Sequence, residues 1–418
     1  MSNKVEPMKN STLTPKLRFQ EFRDKGEWHE VTVQDTATVI AGQSPSGEYY
    51  NDTGDGTPFY QGKADFGDVF INPPTKWTTQ VTKLALENDI LMSVRAPVGA
   101  LNVSNQEICI GRGLAAIRAK GYCWFLYYLL LQANHLFVGN GGSVFDSITK
   151  SQIESIQIPF PLNPTEQQKI ADCLSSLDEL IAAENRMLNA LKAHKKGLMQ
   201  QLFPQPGQTQ PRLRFPEFQG KGEWEEKTLG EVFNLQDGLA FKSTDFIKTK
   251  EGATQVVRIT DINNKNTNED KVFIPNDVII SNNLNKYLIG NGDLLLSLTG
   301  AAGFNFFIWD GGQAIINQRT LKITAKNQTD HTLINLLESL IYKIINTRGE
   351  GQNNNLSKEF LNNVTLLIPR YEEQHRIADC LSSLDAQITE QAAKIDSLKQ
   401  HKRGLMQQLF PSPEEADL

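Results

Sequence analysis

The sequence predicts an α+β chain with a pseudo-twofold internal repeat: two globular α/β domains separated by two long helices that form an antiparallel coiled coil. Three observations carry this prediction. "GLMQQLFP" stands at 197–204 and returns at 404–411, closing a repeat in which 170–204 and 377–411 share 22 of 35 positions without a gap. "LRFQEFRDKGEW" at 17–28 returns as "LRFPEFQGKGEW" at 213–224, with 9 of 12 positions identical. Both long repeats carry apolar residues at alternating steps of four and three, which is the seam of a coiled coil. Repeats of this scale set the architecture before any single motif does.

In chain order, the reading is a tail at 1–15, a first domain at 16–160, a first helix at 163–204 and a linker at 205–211. A second domain at 212–369, a second helix at 370–411 and a tail at 412–418 complete it. The opening blocks are offset by 196 residues and the helices by 207, so the second copy holds 11 more residues between them. The middles, 29–155 and 225–365, share little. One echo is "NDILMSVRAPVG" (88–99) beside "GDLLLSLTGAAG" (292–303), whose alternation and glycines suggest a common strand and turn. Ends kept alike and middles allowed to diverge imply two equivalent docking surfaces and two different recognition surfaces. A duplication that merely drifted would blur both.

The first seam runs through Ile170, Leu174, Leu177, Ile181, Leu188, Leu191, Leu198 and Leu202, with Glu184 and Lys195 filling its gaps. The second runs through Ile377, Leu381, Leu384, Ile388, Ile395, Leu398, Leu405 and Leu409, interrupted by Gln391 and Lys402. Asn163 as N-cap, Pro164 at N1 and Glu166 at N3 start the first helix. The second keeps Glu373 but has Arg370 at the cap position. Pro204 and Pro411 stop both. Two seams joined through a globular middle pair most simply with each other, antiparallel. One register sets Glu184 beside Lys402 and Lys195 beside Gln391, so that polar breaks meet each other. About 39 helical residues at ~1.5 Å each span roughly 58 Å, more than one DNA turn of ~34 Å.

Both middles read as many short strands broken by Gly, Asn, Asp and Pro, as in "VFNLQDGLAF", "TQVVRITDI" and "DLLLSLTG". Each holds one apolar helix, "YCWFLYYLLLQA" and "HTLINLLESLIYKIIN". No apolar run reaches the ~20 residues that cross a bilayer, and "MSNKVEPMKN" lacks the apolar centre of a signal peptide. The four cysteines, at 109, 123, 173 and 380, form no CxxC pair, which points to reduced thiols in cytoplasm without disulfide or zinc. The net charge of −6 and pI near 5.7 argue against a protein that coats nucleic acid by charge alone.

Catalytic constellations are weak. "NPPT" at Asn72–Thr75 is similar to the Asn-Pro-Pro-aromatic motif of adenine methyltransferases, but Thr75 replaces the ring that stacks on a flipped base. A loop with two prolines fits better. Asp261 with Glu269, Asp270 and Lys271 loosely fits a nuclease pattern, yet sits in an Asn-rich stretch that reads as a solvated loop. The six histidines make no HxH or HExxH set. "GNGGS" (139–143) and "GEGQNNN" (349–355) lack the Lys-Ser/Thr of a phosphate loop.

What remains is binding. Gln43, Ser44, Tyr49, Tyr50, Gln61 and Lys63 in the first middle suit base edges. So do Arg258, Asn263, Asn264, Lys265, Gln318 and Arg319 in the second, since Arg reads guanine and Asn or Gln reads adenine through paired hydrogen bonds. Arg95 and Arg112 join this set because each stands beside Gly or Pro in a strand-turn segment. For any one of these residues an ordinary polar loop is the simpler account, and Arg95 and Arg112 fit structural salt-bridge partners equally well.

The combination resembles one family, the specificity subunits of type I restriction–modification systems. The resemblance rests on "LRFPEFQGKGEWEEKTLGEVF" opening a unit, "IPFPLNPTEQQKIADCLSSLDELI" entering the helix, "KGLMQQLFP" leaving it, and the whole occurring twice. It implies that the middles are target-recognition domains, each reading one half of a split, asymmetric site in double-stranded DNA. It implies that the helices set the gap, and that the repeated regions dock two methyltransferase (modification) subunits, with motor-nuclease (restriction) subunits joining for cleavage. The chain itself is then non-catalytic and binds no cofactor or metal; AdoMet, ATP and Mg belong to its partners. DNA as ligand comes chiefly from this resemblance. A bivalent adaptor that joins two proteins without reading DNA, and an enzyme built on the first middle, stay open as alternatives.

Overall fold

The computed structural model describes residues 13–138, 147–205, 207–263, 271–298, 306–326, 337 and 356–411. The chain divides into two units, Met1–Leu188 with Gln391–Leu418, and Asn189–Glu390. Neither is one copy of the repeat. Each takes its globular part and helix start from one copy and the end of its second helical segment from the other.

Unit one is built on the antiparallel sheet β2-β10-β7-β8 (Ala37–Ala41, Leu114–Ala119, Ile90–Ser93, Leu101–Val103). Its register pairs Ala37 with Ala119 and Ala41 with Ala115. Strands β1 (His29–Thr32) and β11 (Gln157–Phe160) form a separate pair. A five-stranded sheet, β3-β5-β4-β9-β6, joins Tyr50–Asn51, Trp77–Thr78, Thr57–Tyr60, Ile108–Ile110 and Leu84–Ala85, with β4 and β9 parallel. The helix Cys123–Gln132 is buried from Phe125 to Leu130, which explains its lack of a polar face.

Unit two repeats this plan. Its sheet β13-β20-β17-β18 (Phe233–Asp237, Thr320–Ala325, Leu294–Ser297, Phe306–Ile308) has the same strand order, and β12 (Glu225–Thr228) pairs with β21 (Thr365–Ile368) as β1 does with β11. A third sheet, β15-β14-β19-β16, joins Val272–Pro275, Ala253–Val257, Ala314–Ile316 and Leu288–Ile289. The middles that share little sequence therefore share a frame. The echo between 88–99 and 292–303 falls on β7 and β17, while the second turn lies outside the described residues. Just before each strand, Asn88 and Gly292 take positive φ, 68° and 89°. Asp89 and Asp293 follow them and pair with Arg118 and Lys322, each at 2.8 Å. The helix expected over 331–346 lies outside the described residues, apart from 337.

The long helices run Pro164–Leu202 and Tyr371–Leu409, 39 residues each and at equivalent repeat positions. The Thr165 N–H donates to Asn163 Oδ1 at 2.9 Å, which is the cap on the first helix. Glu166 does not complete a capping box. Its carboxylate accepts from Arg18 Nε and Nη2 at 2.7 and 2.8 Å and from Trp28 Nε1 at 3.2 Å. Arg214 holds Glu373 in the same way, at 2.7 Å from both donors.

These clamps answer why the helix terminus is written twice. In unit one, the Leu17 N–H donates to Gln408 O at 2.9 Å, and Phe410 packs against Trp28 and Phe125 with ring centroids 6.2 and 5.8 Å apart. In unit two, the Leu213 N–H donates to Gln201 O at 2.9 Å, and Phe203 packs edge-on to Trp224 at 6.0 Å. So each opening block grips the start of its own copy's helix and the end of the other copy's helix. Arg18→Ala would leave the Glu166 side chain, 1% exposed, without its cation. The expected loss is about 3 kcal/mol in denaturant unfolding, since an unpaired buried charge is the costly case. Arg18→Lys should recover only part, because an ammonium lacks the two-pronged geometry.

All sixteen apolar seam positions are buried or half-buried. In each unit the helical segments run antiparallel, but the register of polar residues differs from the expected one. Lys402 Nζ lies 2.6 Å from both oxygens of Asp178, not beside Glu184. Lys195 Nζ bonds Asp385 at 2.6 and 2.8 Å, not Gln391. Glu184 meets Gln391 and Lys394 instead. The slip is about one heptad. A seam that repeats every seven residues faces apolar side chains with apolar side chains in either register. Two carboxylates beside the seam, Asp178 and Asp385, choose between them.

Candidate nucleic-acid interface

At one end of the unit-one sheet, four chain segments meet through their backbones. The Gly42 N–H donates to Leu114 O and the Gln43 N–H to Ile110 O, both at 2.9 Å; the Gly111 N–H donates to Tyr60 O at 2.8 Å and the Val94 N–H to Gly113 O at 3.0 Å. Glycine is needed for this approach. A Cβ on Gly42 would lie 2.2 Å from Gly111 O, and one on Gly113 would lie 2.2 Å from Gln61 O. At the other end of the same strands, Ala37 pairs with Ala119, and Thr36 and Lys120 line a groove with Pro164 at the start of the first helix. The junction thus sits at the sheet end away from that helix start.

The junction gathers residues that the sequence placed far apart. Gln43, Gln61, Lys63 and Arg112 are all exposed around it. Ser44 Oγ accepts from the Arg112 N–H at 3.2 Å, and Arg95, also exposed, is bridged to Ser147 through the backbone. Tyr49 is exposed. Tyr50 is instead part of the scaffold: its ring stacks on Phe59 at 4.8 Å and its hydroxyl donates to Pro45 O at 2.9 Å. Lys83, exposed, joins the junction by accepting the Ile110 N–H at 2.9 Å through its carbonyl. Its sequence context shows no signal that singles it out. Burial raises the Tyr60 hydroxyl to a pKa of about 12, and it donates to Asn72 O at 2.8 Å. Asn72 Nδ2 donates to Phe66 O at 3.1 Å, so "NPPT" is committed to a local loop.

Unit two has the same circuit. The Gly238 N–H donates to Thr320 O at 2.9 Å, Leu239 to Ile316 O at 3.1 Å, Asn317 to Val257 O at 3.0 Å and Leu298 to Arg319 O at 2.8 Å. A Cβ on Gly238 would lie 2.0 Å from Asn317 O. Matching the bonds one by one places Gln318 where unit one has Arg112, and Arg319 where it has Gly113. Both are exposed, and Arg319 takes a left-handed φ of 67°, a conformation that costs a non-glycine residue free energy and concentrates at functional loops. Arg258 is committed: its backbone N–H, Nε and Nη2 donate to Asp261 at 2.8, 3.2 and 3.1 Å. Asn263 closes the helix Ile259–Asn263. Asn264, Lys265, Glu269 and Asp270 lie outside the described residues, as do both glycine-rich stretches. Lys242, exposed just before the turn Ser243–Asp245, carries no distinguishing sequence signal.

Among the described residues, no group of three or more His, Cys, Asp or Glu can hold a metal ion, and no helix is long and apolar enough to cross a membrane. The four cysteines are free. The two units thus carry one backbone frame with unlike exposed side chains at equivalent places, the pattern of a duplicated protein whose two copies have diverged at their candidate interfaces. Residues 25–193 and 221–400 match the model of the type I restriction modification DNA specificity domain, and the chain belongs to that family. Sequence-specific recognition of DNA is the family's role, and catalysis resides on other subunits of the type I complexes.

The putative type I restriction enzyme MjaX specificity subunit of Methanocaldococcus jannaschii is 42% identical over 171 residues, covering 40% of this chain and 39% of that protein. The type I restriction enzyme MjaVIII specificity subunit of the same organism is 27% identical over 303 residues, covering 69% of each. The S subunit of a type I restriction-modification system from M. genitalium superposes with a TM-score of 0.58 at 17% identity, over 96% of this chain and 100% of that one. At that identity the likeness is one of fold. The family match does not favour the adaptor reading.

Proposed function

We propose that each unit reads one half of a split, asymmetric site in double-stranded DNA, and that the paired helices set the gap between the halves. The observation that supports this best is the shared junction: one backbone circuit presents Gln43, Gln61 and Arg112 in unit one, and Leu239, Gln318 and Arg319 in unit two. Different side chains on one frame are suited to different base edges, because Arg pairs with guanine and Gln with adenine in the major groove. Each helix of 39 residues rises roughly 58 Å at ~1.5 Å per residue, which exceeds one turn of DNA at ~34 Å.

The repeated opening blocks and helix ends dock two methyltransferase subunits, and motor-nuclease subunits join for cleavage. AdoMet, ATP and Mg are bound by those partners in the cytoplasm. A chain of net charge −6 draws little affinity from phosphates on its own, so the partners also supply the positive field that holds the duplex. The test is a footprint of this chain with its methyltransferase partner. Two protected blocks separated by an unprotected gap are expected, together with adenine methylation at a split motif that disappears from cells lacking the gene. One continuous block, or binding indifferent to sequence, would refute the proposal.

A further inference from the structure

We infer that Glu184, through its contacts with Gln391 and Lys394, selects the partner of the first long helix: it accepts the second long helix and disfavours another copy of the first. The repeat creates the need for selection. "GLMQQLFP" is identical at 197–204 and 404–411, and "IADCLSSLD" is identical at 170–178 and 377–385. The helix ends therefore fit either socket. The flanking ion pairs do not discriminate either. Asp178–Lys402 and Lys195–Asp385 join the same two repeat positions, so like and unlike pairings would both form them.

The midpoint is where the copies differ. Glu184 and Gln391 are repeat equivalents, 207 apart, and they touch each other. Gln391 Nε2 donates to Glu184 Oε2 at 2.5 Å and to the Glu184 main-chain oxygen at 3.0 Å, while Lys394 Nζ lies 2.6 Å from Oε1. The first-helix equivalent of Lys394 is Met187. Pairing first with first would set two Glu184 carboxylates against one another, with methionine in place of the cation. In the observed pairing the side chain of Glu184 is 15% exposed, covered by Gln391 and Lys394, neither of which the like pairing supplies. Pairing second with second would gather two Gln391 and two Lys394 without a carboxylate. Only the unlike pairing satisfies both sides, through an attraction in one arrangement and a repulsion in the alternative. On the DNA reading proposed above, this keeps one head of each kind in every assembly and so keeps the target asymmetric. The pairing rule itself does not depend on that reading.

The test starts from the intact, folded chain with a protease site introduced into segment 207–211. The protein is cut, incubated in mild denaturant, returned to buffer and weighed by native mass spectrometry, which separates first–first, first–second and second–second fragment pairs. Wild-type fragments are expected to recover almost entirely as unlike pairs. With Glu184→Gln, like pairs should rise toward about half of the total, the random share when no pairing is disfavoured. Gln391→Glu combined with Lys394→Met gives both helices the first-helix midpoint and should also approach the random share. This second variant decides the matter if thermal melting shows Glu184→Gln to be unfolded. Random pairing of wild-type fragments, or an undiminished excess of unlike pairs in the folded variants, would overturn the inference.

Discussion

Phe410→Ala is expected to destabilise unit one by about 3–5 kcal/mol, the usual cost of emptying a buried aromatic site, although Phe410 lies at the far end of the sequence from most of that unit. The ring is 1% exposed and packs in the core of Trp28, Phe125 and Tyr128. Phe203→Ala should act equally strongly on unit two, where Phe203 packs with Trp224, Leu229 and Leu381. Hydrogen exchange distinguishes the two. Phe410→Ala should lower protection in β2, β7 and β10, and Phe203→Ala in β13, β17 and β20. The alternative is that each helix end stabilises the copy that precedes it. Loss of protection in β13, β17 and β20, rather than β2, β7 and β10, on Phe410→Ala would favour that alternative.

Gly42→Val is expected to abolish reading of the first half-site while leaving the second intact. Its Cβ would stand 2.2 Å from Gly111 O and 2.7 Å from Leu114 O, and both obstacles are backbone, which cannot rotate away. The two bonds made by the Gly42 and Gln43 N–H groups would break, displacing Gln43 and Arg112 together. Losing several base contacts at ~1–3 kcal/mol each should weaken specific binding by at least about 100-fold. The measurement is competition binding, with the methyltransferase partner present, against DNA altered in one half at a time. Gly42→Val should become indifferent to changes in the first half and still reject changes in the second. Gly238→Val should show the reverse. Retained discrimination at both halves would remove the junctions from the recognition surface.

Much of the frame was legible in the letters. Asn163, Pro164 and Pro204 bracket a helix that runs Pro164–Leu202, and the repeat transfers those bounds to Tyr371–Leu409 even though Arg370 is no cap. Steps of four and three identified the buried face, because periodicity is a local property of a helix. The candidate readers were legible only as residue types. Tyr50 and Arg258 are committed to scaffold contacts, while Arg112 and Gln318 occupy equivalent places in the backbone circuit.

By itself, the sequence determined that the chain is a duplicated pair of heads and rods, and which side of each rod is apolar. Tertiary structure decided the rest: which unit each helix end completes, the register of the rods and the common frame of the heads. The physical reason is the range of the interactions. Helix caps and heptads act within a few residues. A heptad seam looks the same after a slip of seven, so its register waits on ion pairs such as Asp178–Lys402, made between residues 224 apart. The backbone circuit around Gly42 and Gly238 consists of N–H and C=O groups that nearly every residue carries, so it leaves almost no trace in sequence until the strands are brought together.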